Sequence, residues 1–146
     1  MAPRRRQDRS GDERQHIAVA VVVKEIRIEA VEDEDFLRII TQTMLEELGY
    51  TVLTASDGRE GVAVFQACHG DLDLVILDMV MPVLGGRQAF ELMRDLDPTV
   101  PVLLASGLSK DEALFELKQA GLRGFIRKPC GMAELSRLVA AALAGR

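Results

Sequence analysis

The sequence predicts an α/β protein with a single doubly wound, five-stranded parallel sheet and helices on both faces. Three observations point there. Five short β-like runs alternate with helical patterns across tight connections, as a parallel sheet covered on both faces requires. Leu74–Leu77 and Val102–Ala105 are apolar without interruption, which suits strands buried on both sides. Right-handed crossovers then leave the doubly wound sheet as the simplest topology.

The elements follow in order. Residues 1–16 lack hydrophobic periodicity and are expected to be a disordered basic and polar tail. Residues 17–25 hold an apolar extension, Ile17–Val23, that either competes for the first strand or adds an extra one. Residues 26–146 form the folded domain. Ile26–Val31 reads as the first strand. Phe36–Leu48 reads as a helix through Leu37, Ile40, Met44 and Leu48, closed by Gly49. Tyr50–Ala55 is a strand turned by Ser56-Asp57-Gly58. Arg59–Cys68 is helical through Val62 and Phe65, and Leu72–Leu77 is the strand before Asp78. Gln88–Leu96 places Phe90, Met93 and Leu96 on one face, with Pro98 just beyond. Val100–Ala105 is a strand broken by Ser106-Gly107, and Lys110–Gln119 is a helix stopped by Gly121. Gly124–Arg127 is a short strand and Ala133–Leu143 the last helix.

Composition narrows the function. At 146 residues the chain suits one domain with one core. With 48% apolar and 28% charged residues it reads as soluble and globular. The net charge is -5; Arg4, Arg5, Arg6, Arg9 and Arg14 against Asp8, Asp12 and Glu13 give the tail +2, leaving -7 on the body. An acidic body argues against nucleic-acid binding. Cys68 and Cys130 form no CxxC motif, and two histidines supply no zinc-ligand spacing, so reduced thiols in the cytoplasm are expected. No apolar stretch reaches the roughly 20 residues that span a bilayer. Ile17–Val23 lacks the cleavage site of a secretory signal.

Asp78 is the residue that carries chemistry. It ends an apolar strand and opens the loop Met79-Val80-Met81-Pro82-Val83-Leu84-Gly85-Gly86, at the carboxyl end of the sheet where ligands of open α/β sheets sit. The acidic run Glu32-Asp33-Glu34-Asp35 and the pair Lys128-Pro129 fall on the same edge. Several acids and one lysine there suit a hard cation and a phosphoryl group.

These residues resemble the receiver domain of two-component response regulators, the CheY-like superfamily, over about residues 26–143. Val31-Glu32-Asp33-Glu34-Asp35 resembles the acidic turn after the first strand, and Leu77-Asp78-Met79-Val80-Met81-Pro82 with Gly86 the phosphoacceptor loop. Ala105-Ser106-Gly107 resembles the hydroxyl-bearing end of strand four, and Phe125-Ile126-Arg127-Lys128-Pro129 the lysine–proline end of strand five. Met81-Pro82 with Gly85-Gly86-Arg87, and Ser106-Gly107, are similar to receivers attached to hybrid histidine kinases.

The resemblance implies a flavodoxin-like strand order 2-1-3-4-5 and a phosphoprotein of two-component or phosphorelay signal transduction. Asp78 would be the nucleophile that forms an aspartyl phosphate. Asp33, Asp78 and the Val80 carbonyl would bind Mg²⁺ directly, with Glu32 acting through water; Glu34 and Asp35 would only favour the helix start. Lys128 would pair with the phosphoryl group and, at rest, with Asp78. Its peptide bond to Pro129 is cis in the family. Ser106 and Phe125 would form the switch. The partners implied are a histidine kinase or histidine phosphotransfer protein and an unidentified downstream protein, with the chain a monomer or a phosphorylation-dependent dimer. It would catalyse only its own phosphorylation and dephosphorylation. Output is expected through partners, since no kinase core or DNA-binding module appears in this sequence.

Some features depart from the pattern. Arg27 and Glu29 charge a first strand that is normally apolar, and a core-facing Glu29 is costly unless paired or protonated. Val80 and Leu108 flank the expected phosphoryl pocket, and neither can orient water, which predicts slow self-dephosphorylation. Cys130 reads as a small apolar filler and Arg38 as a surface residue. Two rival functions fit the sequence less well: a phosphorylation-independent docking module, disfavoured by intact Asp33, Asp78 and Lys128, and an aspartyl phosphatase, which lacks its second acid because Val80 stands in that place.

Overall fold

The computed structural model describes residues 24–107 and 111–145, apart from the side chains of 111–114. The expected tail, the Ile17–Val23 extension and Leu108 lie outside them. Among the described residues five strands and five helices alternate: β1 Arg27–Val31, α1 Asp35–Glu47, β2 Thr51–Ala55, α2 Gly58–Cys68, β3 Leu74–Asp78, α3 Gly86–Leu96, β4 Val102–Ser106, α4 Asp111–Gln119, β5 Gly124–Arg127 and α5 Met132–Ala144. A single 3-10 turn, His69–Asp71, links α2 to β3. All strand pairs are parallel, in the order β2-β1-β3-β4-β5.

Side-chain alternation along each strand feeds two cores. Val31, Val75, Leu77 and Leu104 meet Phe65 of α2, Phe90 and Met93 of α3 and Leu117 of α4. Ile28, Ala30, Ile76 and Leu103 meet Leu45 of α1 and Leu135 and Val139 of α5 on the opposite face. β3 and β4 are buried along their whole length, as their uninterrupted apolar runs require.

Element ends shift by one or two residues from the expected ones, for local reasons. Pro101 has no N–H to give a ladder, so β4 begins at Val102, although the Pro101 carbonyl still accepts from Val75 N–H at 3.0 Å. The Asp57 carboxylate caps α2 by accepting from Glu60 N–H at 2.8 Å, so the helix starts at Gly58. Gly49 and Gly121 hold φ values of 97° and 104° after α1 and α4, the left-handed geometry that ends a helix without a Cβ penalty.

The charged first strand resolves without an ion pair between its two charges. Arg27 sits at the solvent end of β1 and its guanidinium reaches Glu25 at 3.5 Å. Its backbone N–H donates to the buried Asp73 carboxylate at 2.9 Å. Glu29 is 0% exposed, and neither carboxyl oxygen finds a hydrogen-bond partner among the described residues. Burial, helped by the charge of Glu60, pushes its carboxyl up to about 8. Glu29 is therefore accommodated mainly as the neutral acid at pH 7.

Candidate functional site

Parallel pairing brings the carboxyl ends of the strands to one edge. Glu32 and Asp33 follow β1, Asp78 ends β3, Ser106 ends β4, and Lys128 follows β5. The chain leaves β1 toward β2 on one side and β3 toward β4 on the other, so the crevice between β1 and β3 is the topological switch point. Backbone bonds continue the ladders into the loops: Met79 N–H to Ala105 carbonyl at 2.8 Å, Lys128 N–H to Ser106 carbonyl at 2.9 Å.

Carboxylate oxygens of Glu32, Asp33 and Asp78 lie within 4.8 Å of one another. Glu32 and Asp78 are buried and Asp33 is half-buried. The Lys128 ammonium sits between the two buried acids, 2.7 Å from Glu32 Oε1 and 3.1 Å from Asp78 Oδ1. The other Glu32 oxygen accepts from Glu34 N–H at 3.2 Å. The expected resting pair of Lys128 and Asp78 is thus present, and Lys128 holds Glu32 as well. The Lys128-Pro129 peptide bond is cis.

Two carboxyls this close cannot ionise independently. Burial and then the hydrogen-bonded Glu32 push the Asp78 carboxyl up to about 7, against the pull of Lys128. Burial acts upward on Glu32 too, but hydrogen bonds from Lys128 and Asp78 hold it below the usual carboxylate range. Burial acts downward on Lys128, and its bonds to Glu32 and Asp78 outweigh that and keep the ammonium above its ordinary value.

Oxygen donors at this spacing fit Mg²⁺, a hard cation that takes one or two carboxylates and keeps waters. Glu32, Asp33 and Asp78 would hold it.

The loop after Asp78 is tightly built. Gly86 N–H donates to Met79 carbonyl at 3.0 Å, and a Cβ on Gly86 would collide with the Asp78 carbonyl oxygen. Leu84 N–H closes a three-residue turn on Pro82 carbonyl at 2.8 Å, with Val83 at φ 71°, a costly backbone for a β-branched residue. Val80 presents its side chain to solvent, 68% exposed.

The remaining sequence-derived residues sort as follows. Ser106 is buried at the end of β4, beside Asp78 across the β3–β4 pairing. Phe125 pairs with Leu104 in register and packs half-buried on the core beneath α2, α3 and α4. Cys130 packs partly buried against the opposite core, in keeping with a filler. Asp35 lies in the first turn of α1, and Glu34 precedes it without a side-chain cap.

Arg38 is a correction. The sequence places it at the surface, yet its side chain is only 20% exposed. Side chains on a helix lean toward its N-terminus, and this one folds back over the acidic turn. Its guanidinium donates to the Glu32 carbonyl at 2.9 Å and to Asp35 Oδ1 at 2.6 Å, and lies 3.5 Å from the Asp33 carbonyl. The only trace in the sequence is the i, i+3 spacing from Asp35.

Comparison with known proteins agrees with this geometry. The model of the response regulator receiver domain family matches residues 28–140. The sensor kinase CckA of Brucella abortus is 31% identical over 109 residues, covering 75% of this chain but 12% of the kinase. A receiver domain protein from Clostridium thermocellum superposes with a TM-score of 0.78 at 28% identity, covering 82% of this chain and 95% of that one. The receiver domain of the Pseudomonas aeruginosa sensor histidine kinase PA1611, solved with magnesium in its active-site cleft, gives a TM-score of 0.74 at 26% identity over 83% of this chain and 99% of that one. No described helix is long and apolar enough to cross a membrane. A doubly wound sheet whose strand ends gather three acids and a lysine, and a family match across nearly all of that sheet, lead to one conclusion: this chain belongs to the response regulator receiver domain family.

Proposed function

We propose that Asp78 accepts a phosphoryl group from a phosphohistidine on a histidine kinase or histidine phosphotransfer protein, in the cytoplasm and with Mg²⁺. A carboxylate oxygen of Asp78 forms the new bond to phosphorus, the P–N bond to the donor imidazole breaks, and the imidazole leaves with a proton. Bound Mg²⁺ would neutralise charge on the carboxylates and the incoming phosphoryl oxygens. Lys128, already 3.1 Å from Asp78, turns its ammonium to a phosphoryl oxygen. Ser106 donates its hydroxyl to another, and Phe125 repacks on β5 to alter the α4–β5–α5 surface that an unidentified partner reads, as a monomer or a phosphorylation-dependent dimer. The Val80 carbonyl would join Asp33 and Asp78 in holding the ion, with Glu32 acting through water.

The observation that carries this reading is the convergence of Glu32, Asp33 and Asp78 within 4.8 Å. Intact mass after incubation with acetyl phosphate and Mg²⁺ tests it. Wild type should gain one phosphoryl group, and Asp78→Asn, or wild type with the metal chelated, should gain none. Equal labelling of Asp78→Asn contradicts the assignment.

A further inference from the structure

Arg38 is a cation of the acidic edge that the phosphoryl chemistry leaves without work. Its guanidinium spans the main chain of both acids of the β1–α1 turn and one carboxylate of the first helical turn. We infer that Arg38 is a positioning residue for the cation pocket, fixing the backbone from which Glu32 and Asp33 project. The inference rests on the reading of that pocket as a Mg²⁺ site.

Geometry and charge pull in opposite directions here. A fixed positive charge beside the pocket repels a divalent cation, so removing it strengthens binding. Loss of the backbone clamp lets the Glu32–Asp33 turn reorient and weakens it. The ion pair decides between them. Asp35, 2.6 Å from the guanidinium, is 85% exposed, so removing Arg38 uncovers a carboxylate that stands in solvent and is screened there. What remains is the tether. The Glu32 side chain is held from Lys128 and from Glu34 N–H, while its carbonyl is held by Arg38. Asp33 is half-buried, and among the described residues no hydrogen bond or ion pair restrains its carboxylate, so its direction depends more on the main chain beneath it. A planar fork can serve several acceptors at once; an ammonium at the same place cannot keep that geometry.

Calorimetric Mg²⁺ titration of the whole chain tests the assignment, with thermal unfolding in chelator beside it. Arg38→Ala should bind Mg²⁺ about 10-fold to 100-fold more weakly, the usual cost of losing a group that orients metal ligands. Arg38→Lys should recover only part of the affinity, despite keeping the charge. The metal-free melting temperature should move far less than the affinity. Arg38→Ala that binds Mg²⁺ as tightly as wild type, or more tightly, overturns the inference, as does full rescue by Lys. Should Arg38→Ala fail to fold, Arg38→Lys alone decides by the same criterion. Wild type that binds no Mg²⁺ overturns the metal reading, and the inference with it; wild-type binding with unchanged variants overturns the inference alone.

Discussion

Lys128 is one ammonium facing two buried carboxylates, and it shows how much a single side chain settles. Without it, Glu32 and Asp78 would lose the ammonium that lies between them. Both acids and the lysine were legible in the sequence, because each follows an apolar strand and opens a loop. Val80 was legible too, but only as an absence. Its apolar, solvent-facing side chain offers no hydrogen bond to an attacking water. Val80→Asn should therefore shorten the lifetime of the aspartyl phosphate several-fold, followed as loss of the mass adduct after the phosphodonor is removed. An unchanged or longer lifetime would refute the idea. Arg38 was not legible, because its work is done on backbone carbonyls, and contacts of that kind leave no pattern in side-chain spacing. Glu29 announced itself as a charge in the wrong strand, yet nothing in the one-dimensional pattern could say whether a partner waited for it.

Elements press on the site as well as carrying it. The first residue of α2 lies against the loop after β3: a Cβ on Gly58 would collide with the Leu84 carbonyl oxygen and stand 2.8 Å from its carbon. Neither is the end of a flexible side chain, so the main chain must give way. Gly58→Ala should cost about 1–3 kcal/mol in urea unfolding, the range for an overpacked contact. It should also slow labelling of Asp78 by acetyl phosphate, because the displaced loop is the one that follows the acid. Normal stability with normal labelling would show that the loop adapts. At this scale the sequence read well. Every strand and helix expected over the described residues is present, since apolar periodicity and glycine stops act locally. Boundaries moved where a proline without an N–H or a capping carboxylate intervened, at Pro101 and Asp57.

Stability belongs to the whole molecule, and Glu29 ties it to pH. The folded chain keeps the Glu29 proton up to about pH 8, whereas an ordinary glutamate releases it near 4.5. Between those values the native state binds more protons than the unfolded state, so this residue's contribution to stability falls as pH rises through that window and levels off above it. Glu29→Leu should remove that slope. Its advantage over wild type in urea unfolding should be small near pH 5 and grow to roughly 3 kcal/mol at pH 7, at 1.36 kcal/mol per pKa unit. Parallel profiles for the two proteins would mean that the buried acid has found a partner after all.

The ammonium and the first acid it grips are 96 residues apart in sequence. Between them the chain must lay down the second, third, fourth and fifth strands in order. A chain halted partway through synthesis already owns its acids but not its lysine. The assembled pocket thus arrives only with the fifth strand, and the earlier four cannot close it on their own.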